Sequence, residues 1–155
     1  MSVALWRIAR ETNRYPANDV SGAVLSEIDS RWASPGASVV YCSTNIALAV
    51  LEAVCHIRKS SVPYNRFLVR IDIPKAVWDM RELLDAPAGW DALPPGTTSI
   101  RTGDAWRGSM RSPLLVVPSV IVPEESNVLV NPHHPHARKI TATTLRRWIV
   151  DPRLL

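Results

Sequence analysis

Glu52 is the residue whose type and surroundings point most directly to chemistry. It is the lone acid in the run from Ile46 to Cys55, otherwise wholly apolar. A carboxylate in such a setting is rare, because a buried charge is costly unless it is paired. Read as function, Glu52 is a catalytic acid or a ribose ligand. Read as structure, it is half of a buried salt bridge, with Arg31 as a candidate partner, or part of a narrow polar stripe with Asn45. His56 falls one turn later on the same helix face. Two side chains do not make a metal site, so a packed histidine is the simpler reading.

Other chemistry is poorly supported. Asn131-Pro132-His133-His134-Pro135-His136 has the look of a metal tract. Its prolines keep it extended, and no cysteine or carboxylate pair with zinc spacing accompanies it; a rigid polar loop is expected. Ser119 follows a strand without the G-x-S-x-G frame of a nucleophile elbow. Cys42 and Cys55 read as buried small hydrophobes in a reducing cytosol. The six glycines hold no G-x-G pair, and a Walker A run is missing. A nucleotide would have to be held by side chains and scattered backbone amides.

The elements that must position these groups are short. Val3–Ile8 reads as an opening strand and Ser21–Ile28 as a short helix. Ser38–Cys42 is a buried strand leading through Ser43-Thr44-Asn45, helix-start chemistry, into a helix from about Asn45 to Arg58. Apolar almost all round, that helix is expected to be buried centrally. Phe67–Ile73 is a strand ended by Pro74. Ala86–Thr98 is a Pro/Gly-rich loop, Ser99–Ser109 a helix with Trp106 inward, and Leu114–Val117 and Val128–Val130 short strands. Thr144–Val150 closes the chain as a strand or helix. Short strands separated by helices indicate an α+β fold, a single mixed α/β domain over residues 1–155.

Several separated pieces, in order, resemble the RES family of toxins. Arg31-Trp32, Pro35-Gly36 and Val39-Val40-Tyr41-Cys42-Ser43 lead into Leu48-Ala49-Val50-Leu51-Glu52. Asp104-Ala105-Trp106 lies in the late helix. Pro118-Ser119 precedes Pro123-Glu124-Glu125-Ser126-Asn127-Val128-Leu129-Val130-Asn131-Pro132-His133-His134-Pro135. The family is named for an Arg, a Glu and a Ser, which fall here on Arg31, Glu52 and Ser119. The resemblance departs at Ser30 and Ala33, where the family often has Gly and Asn around the Arg-Trp pair.

The resemblance implies a fold like that of ADP-ribosyltransferase toxins and an enzyme that consumes NAD+ as co-substrate, without a metal. It implies the toxin of a bacterial type II toxin–antitoxin pair, passing ADP-ribose to a cellular protein and arresting growth. An NAD+ glycohydrolase or phosphorylase is the alternative. Glu52 would stabilise the developing sugar cation, and Arg31 would clamp the pyrophosphate. Tyr41 would stack on nicotinamide, Ser119 would hydrogen-bond near the ribose or amide, and Asn131 would order its loop or touch the ligand. Arg7 is a second phosphate candidate, with a structural pairing equally open. The implied partner is a cognate antitoxin carrying a DNA-binding domain, in a hetero-oligomer.

Bulk composition sits comfortably with this. Hydrophobic residues are 46% and charged residues 21% of the 155, close to ordinary globular domains. The net charge is +4, from 18 Lys and Arg against 14 Asp and Glu. That suits an anionic ligand, whereas the spread of the basic residues argues against tracking a nucleic-acid backbone. No apolar run reaches the ~18 residues of a membrane span, and the N-terminus lacks a secretory h-region. A soluble, cytoplasmic protein is expected. A binding module without turnover is the competing class.

Overall fold

In the computed structural model, which describes residues 1–22, 30–57 and 64–155, alternation along each strand decides the architecture. Seven strands share one sheet: β1 (Ser2–Arg10), β2 (Val40–Ser43), β3 (Arg66–Pro74), β4 (Glu82–Leu83), β5 (Leu114–Pro118), β6 (Ser126–Val130) and β7 (Thr141–Arg147). Their order is β4-β5-β6-β2-β1-β3-β7. Every pair is antiparallel except β4 with β5.

Successive side chains of a strand point to opposite faces, and here both faces are apolar. Val40, Cys42, Leu114, Val128 and Val130 join Leu5, Ala9, Val69, Ile71 and Ile73 in one cluster. Leu115, Val117 and Leu129 join Trp32, Ala33, Val39 and Trp106 in the other, with Tyr41 packed against it. The mixed sheet and its helices make an α+β fold, as the alternation of short strands with helices indicated.

Three α-helices are described: α1 (Ile46–Cys55), α2 (Lys75–Trp78) and α3 (Thr97–Ser109). Asn45 starts α1, its Oδ1 accepting from the Leu48 amide at 2.8 Å, which satisfies one of the orphan donors of the first turn. The helix is not buried centrally. It lies against β1 and β2 through Leu48 and Ala49, while Ile46, Ala47, Leu51 and Cys55 face outward. One layer of contact suffices to hold ten residues, so apolarity all round did not translate into burial all round. Trp106 is inward, its Nε1 donating to Ser112 Oγ at 2.9 Å.

The sequence reading missed α2, the two-residue β4, and short 3₁₀ helices at Pro135–Lys139 and Pro152–Leu154. The histidine tract is thus not extended throughout. His134, buried, caps the first 3₁₀ helix, its Nδ1 accepting from the His136 amide. The tail is a strand that begins three residues earlier than expected. Most of the expected Ser21–Ile28 helix, and the expected end of α1 at Arg58, lie outside the described residues. Among the described residues no helix is long and apolar enough to cross a membrane.

Candidate active site

The register of β2 against β6 builds the floor of the site. Tyr41 stands opposite Leu129 and Ser43 opposite Asn127, and β5 sets Val117 against Asn127 on its other side. Opposed residues share a face, so Tyr41, Ser43 and Asn127 project together. Ser119, two residues past Val117, follows onto the same side. Glu52, half-buried, comes down from α1 to meet them. Its Oε1 accepts from Ser119 Oγ at 2.8 Å and from Asn127 Nδ2 at 2.7 Å. No salt bridge joins Glu52 to Arg31 among the described residues, nor does Glu52 share a stripe with Asn45, whose side chain is occupied by the helix cap and by Glu125.

Ser119 is fully buried and its hydroxyl is saturated. Oγ accepts from the amides of Ile121 at 3.1 Å and Val122 at 3.2 Å, so its one proton belongs to Glu52. The residue both caps a turn and holds the carboxylate. Asn127 passes the restraint on: its Oδ1 accepts from buried Ser43 Oγ at 2.8 Å. Among the described residues no donor reaches Glu52 Oε2.

Arg31 and Tyr41 complete the group. The Arg31 guanidinium donates through Nη1 to the carbonyls of Trp90 at 2.9 Å and Ala92 at 2.8 Å. Nη1 is thereby used up, leaving the Nε and Nη2 protons, three of the five donors a guanidinium carries. Desolvation lowers the Arg31 pKa, opposed by the negative charges of Asp91 and Glu52 and by Tyr41. Arg31, Glu52 and Tyr41 are thus in mutual electrostatic range. The Tyr41 hydroxyl pairs with Ser30 Oγ and accepts from the Trp32 amide at 3.3 Å. Burial pushes its pKa well above the usual phenol value, so it stays neutral. The Tyr41 ring packs against the cluster of Trp32, Val39 and Trp106 and is only partly exposed.

The wall around Arg31 rests on α3. Asp104 Oδ1 accepts from the Ser34 amide at 3.0 Å, its Oδ2 binds the Ser34 hydroxyl, and Arg107 bridges to the same carboxylate at 3.1 Å. The Trp32 and Trp90 rings stack with centroids 6.0 Å apart. The loop carrying Trp90 and Ala92 is therefore clamped to the Arg31 segment by an aromatic stack and two hydrogen bonds.

Other candidates fall elsewhere. Asn131 is fully buried: Nδ2 donates to the Arg107 carbonyl at 3.0 Å and approaches Met110 Sδ, while Oδ1 accepts from the His133 amide. These bonds tie the end of α3 to the histidine loop. Arg7, two residues from both Leu5 and Ala9 and so on their face of β1, stands on the side of the sheet away from Tyr41 and Ser43. There burial lowers its pKa, countered by Cys42 and Asp19, and it is not gathered with Arg31. A cavity of about 380 Å³ on that face, lined in part by Asp19, Val40, Ile71 and Val130, holds none of the candidate residues. His56 is exposed at the end of α1 rather than packed, because the chain leaves the helix there. Cys42 is buried, its thiol pushed up to about 12 by desolvation. Cys55 is exposed rather than buried, on the open side of α1. Among the described residues no group of three His, Cys, Asp or Glu side chains could hold a metal ion.

Ser43, Asn127 and the Trp90–Ala92 carbonyls were not anticipated as parts of the site. Ser43 and Asn127 are 84 residues apart, and only strand pairing joins them.

A family model described as RES domain matches residues 4–151. The chain is 44% identical over 158 residues to a protein of Sphingobium sp. named Prs ADP-ribosylating toxin, covering 100% of this chain and 98% of that one. It is 34% identical to a protein named Toxin Res from Photorhabdus laumondii, with 97% and 96% covered. A protein of the same name from Yersinia enterocolitica is 31% identical, with 97% and 98% covered.

Proposed function

This chain belongs to the RES domain family, and from that premise we propose that it is an NAD+-dependent ADP-ribosyltransferase, the toxin of a bacterial type II toxin–antitoxin pair. In this reading it acts in the cytoplasm as one RES domain over residues 1–155. It transfers ADP-ribose to a cellular protein and so arrests growth, and it is held in check by a cognate antitoxin with a DNA-binding domain, in a hetero-oligomer. The observation that carries the reading is the half-buried Glu52, anchored through one oxygen, with the other unclaimed by any described donor.

The chemistry follows from that oxygen. Cleavage of the nicotinamide–ribose bond releases a neutral leaving group, so acid catalysis is not required. The sugar becomes cation-like in the transition state. A preoriented carboxylate oxygen stabilises that charge with little reorganisation and can accept the proton of an incoming nucleophile. Arg31 would meet the pyrophosphate with Nε and Nη2 in a charge-assisted fork, and the Tyr41 ring would stack on nicotinamide. Ser119 acts through Glu52, and Asn131 orders its loop.

Arg31→Ala should raise the Kd for NAD+ about 10- to 100-fold, the worth of hydrogen bonds to a charged group. Titration calorimetry measures it, and an unchanged Kd removes Arg31 from the binding set. The activity itself is tested with NAD+ labelled in its adenylate part, mixed with purified protein and cell lysate. Label should move onto a lysate protein. Release of nicotinamide with no labelled protein would replace transfer by hydrolysis or phosphorolysis, and no turnover at all would overturn the reading.

A further inference from the structure

The donors around Glu52 form a directional chain. An ionised carboxylate only accepts hydrogen bonds, so the Asn127 amide must turn its NH2 toward Glu52 and its oxygen toward Ser43. Ser43 must then donate, and it does, at 2.8 Å from a buried position in β2. Ser119 cannot rotate its proton away, because two backbone amides occupy its lone pairs. Both donated protons converge on one oxygen of Glu52.

We propose that Asn127, held by Ser43, is a positioning residue: together with Ser119 it grips Oε1 so that Oε2 alone is presented to the substrate. Three facts point the same way. The two donor distances are short, at 2.7 and 2.8 Å. Asn127 has its opposite end fixed by a strand neighbour, so the amide is preoriented before any ligand arrives. Asn127 and Ser43 are supplied by β6 and β2, neighbouring strands inside the sheet, whereas Glu52 sits on a helix whose outer side is open. A carboxylate on a helix with one anchored layer would otherwise sample several rotamers, and each wrong rotamer withdraws the oxygen the transition state needs. The proposal rests on the reading of Glu52 as the transition-state carboxylate, and it assigns Asn127 and Ser43 to orientation rather than to ligand contact.

Asn127→Asp keeps the shape and replaces the donor by an acceptor that repels Glu52. Ser43→Ala removes the anchor, and Ser43→Thr restores the hydroxyl with a side chain that suits a strand. The rates to measure are kcat and KM for nicotinamide release from NAD+. Asn127→Asp should lower kcat about 10- to 100-fold, as expected for a lost charge-assisted bond, with KM within about twofold. Ser43→Ala should show a smaller loss of the same kind, and Ser43→Thr should recover it. Adding Asn127→Asp to Glu52→Gln should lower kcat no further, because the grip has nothing left to orient. A kcat unchanged by Asn127→Asp, or losses that multiply in the double variant, would overturn the proposal. Should the wild-type protein not consume NAD+, the activity reading fails by itself. Growth arrest on expression then decides the pairing: relief by Asn127→Asp and by Ser43→Ala but not by Ser43→Thr supports it, and full toxicity of both overturns it.

Discussion

Glu52→Gln is expected to reduce nicotinamide release from NAD+ by about 10²- to 10³-fold, the range for loss of a preorganised electrostatic group. The structure makes this substitution unusually informative. Ser119 and Asn127 both require an acceptor at the Oε1 position. A glutamine can supply one only by placing its carbonyl oxygen there, which turns its NH2 toward the position of Oε2. The fold keeps both hydrogen bonds, weakened from charged to neutral at about 1 kcal/mol and a few degrees in Tm. The substrate meets a donor with partial positive charge where a negative oxygen stood. Loss of turnover with a Tm lowered by only a few degrees and an intact Kd for NAD+ is the expected result. Turnover within a few-fold of wild type would show that Glu52 is only a structural hub for Ser119 and Asn127.

Much of this arrangement was legible in residue types, and the boundary of what was legible is physical. The opening strand, the Asn45 helix start, the β3 strand, the inward Trp106 and the loop before α3 follow from local pattern and capping, and the structure has them. Glu52 was legible because a lone acid in an apolar helix is costly without partners. Ser119 stood out only by the resemblance, and the contacts of Glu52 with Ser119 and Asn127 were hidden, since these lie 67 and 75 residues further on and only sheet register brings them near. The exposure of Ile46, Ala47 and Leu51 was equally hidden: hydrophobicity reports what a helix can bury, and packing decides how much it does. Arg31 stood out by its resemblance to the family, but the carbonyls of Trp90 and Ala92 that fix its fork come from a Pro/Gly-rich loop. No periodic signal marks such a loop as a wall. Asn127 was in view only within the run that resembles the family, one residue before the expected Val128–Val130 strand, and Ser43 only as helix-start chemistry; pairing across β2 and β6 gave them a shared task.

Gly103→Ala should destabilise the protein and weaken NAD+ binding together, although glycine-to-alanine changes inside helices usually stabilise by about 0.5–1 kcal/mol. At Gly103 the sign reverses because α3 touches backbone. A Cβ there would stand 1.6 Å from the Trp32 carbonyl oxygen and 2.6 Å from its carbon. Neither atom belongs to a flexible side chain, so helix and loop must part. Overpacking of this kind costs about 1–3 kcal/mol or more, which for a chain of this size is about 2–12 °C of Tm. The displaced segment is the one that carries Arg31, donates the Trp32 amide to Tyr41 and docks Ser34 on Asp104. A shift there moves the guanidinium and the Tyr41 ring out of register with Glu52. Gly108→Ala is the internal control: it lies in the same helix, is exposed, and a Cβ would meet nothing within 4 Å. That variant should gain a fraction of a kcal/mol by ordinary helix propensity and bind NAD+ as wild type does. Thermal melts and calorimetry on the two variants side by side read both quantities. Equal stabilisation by the two alanines would mean that the packing of α3 on Trp32 is not what holds the Arg31 segment in place.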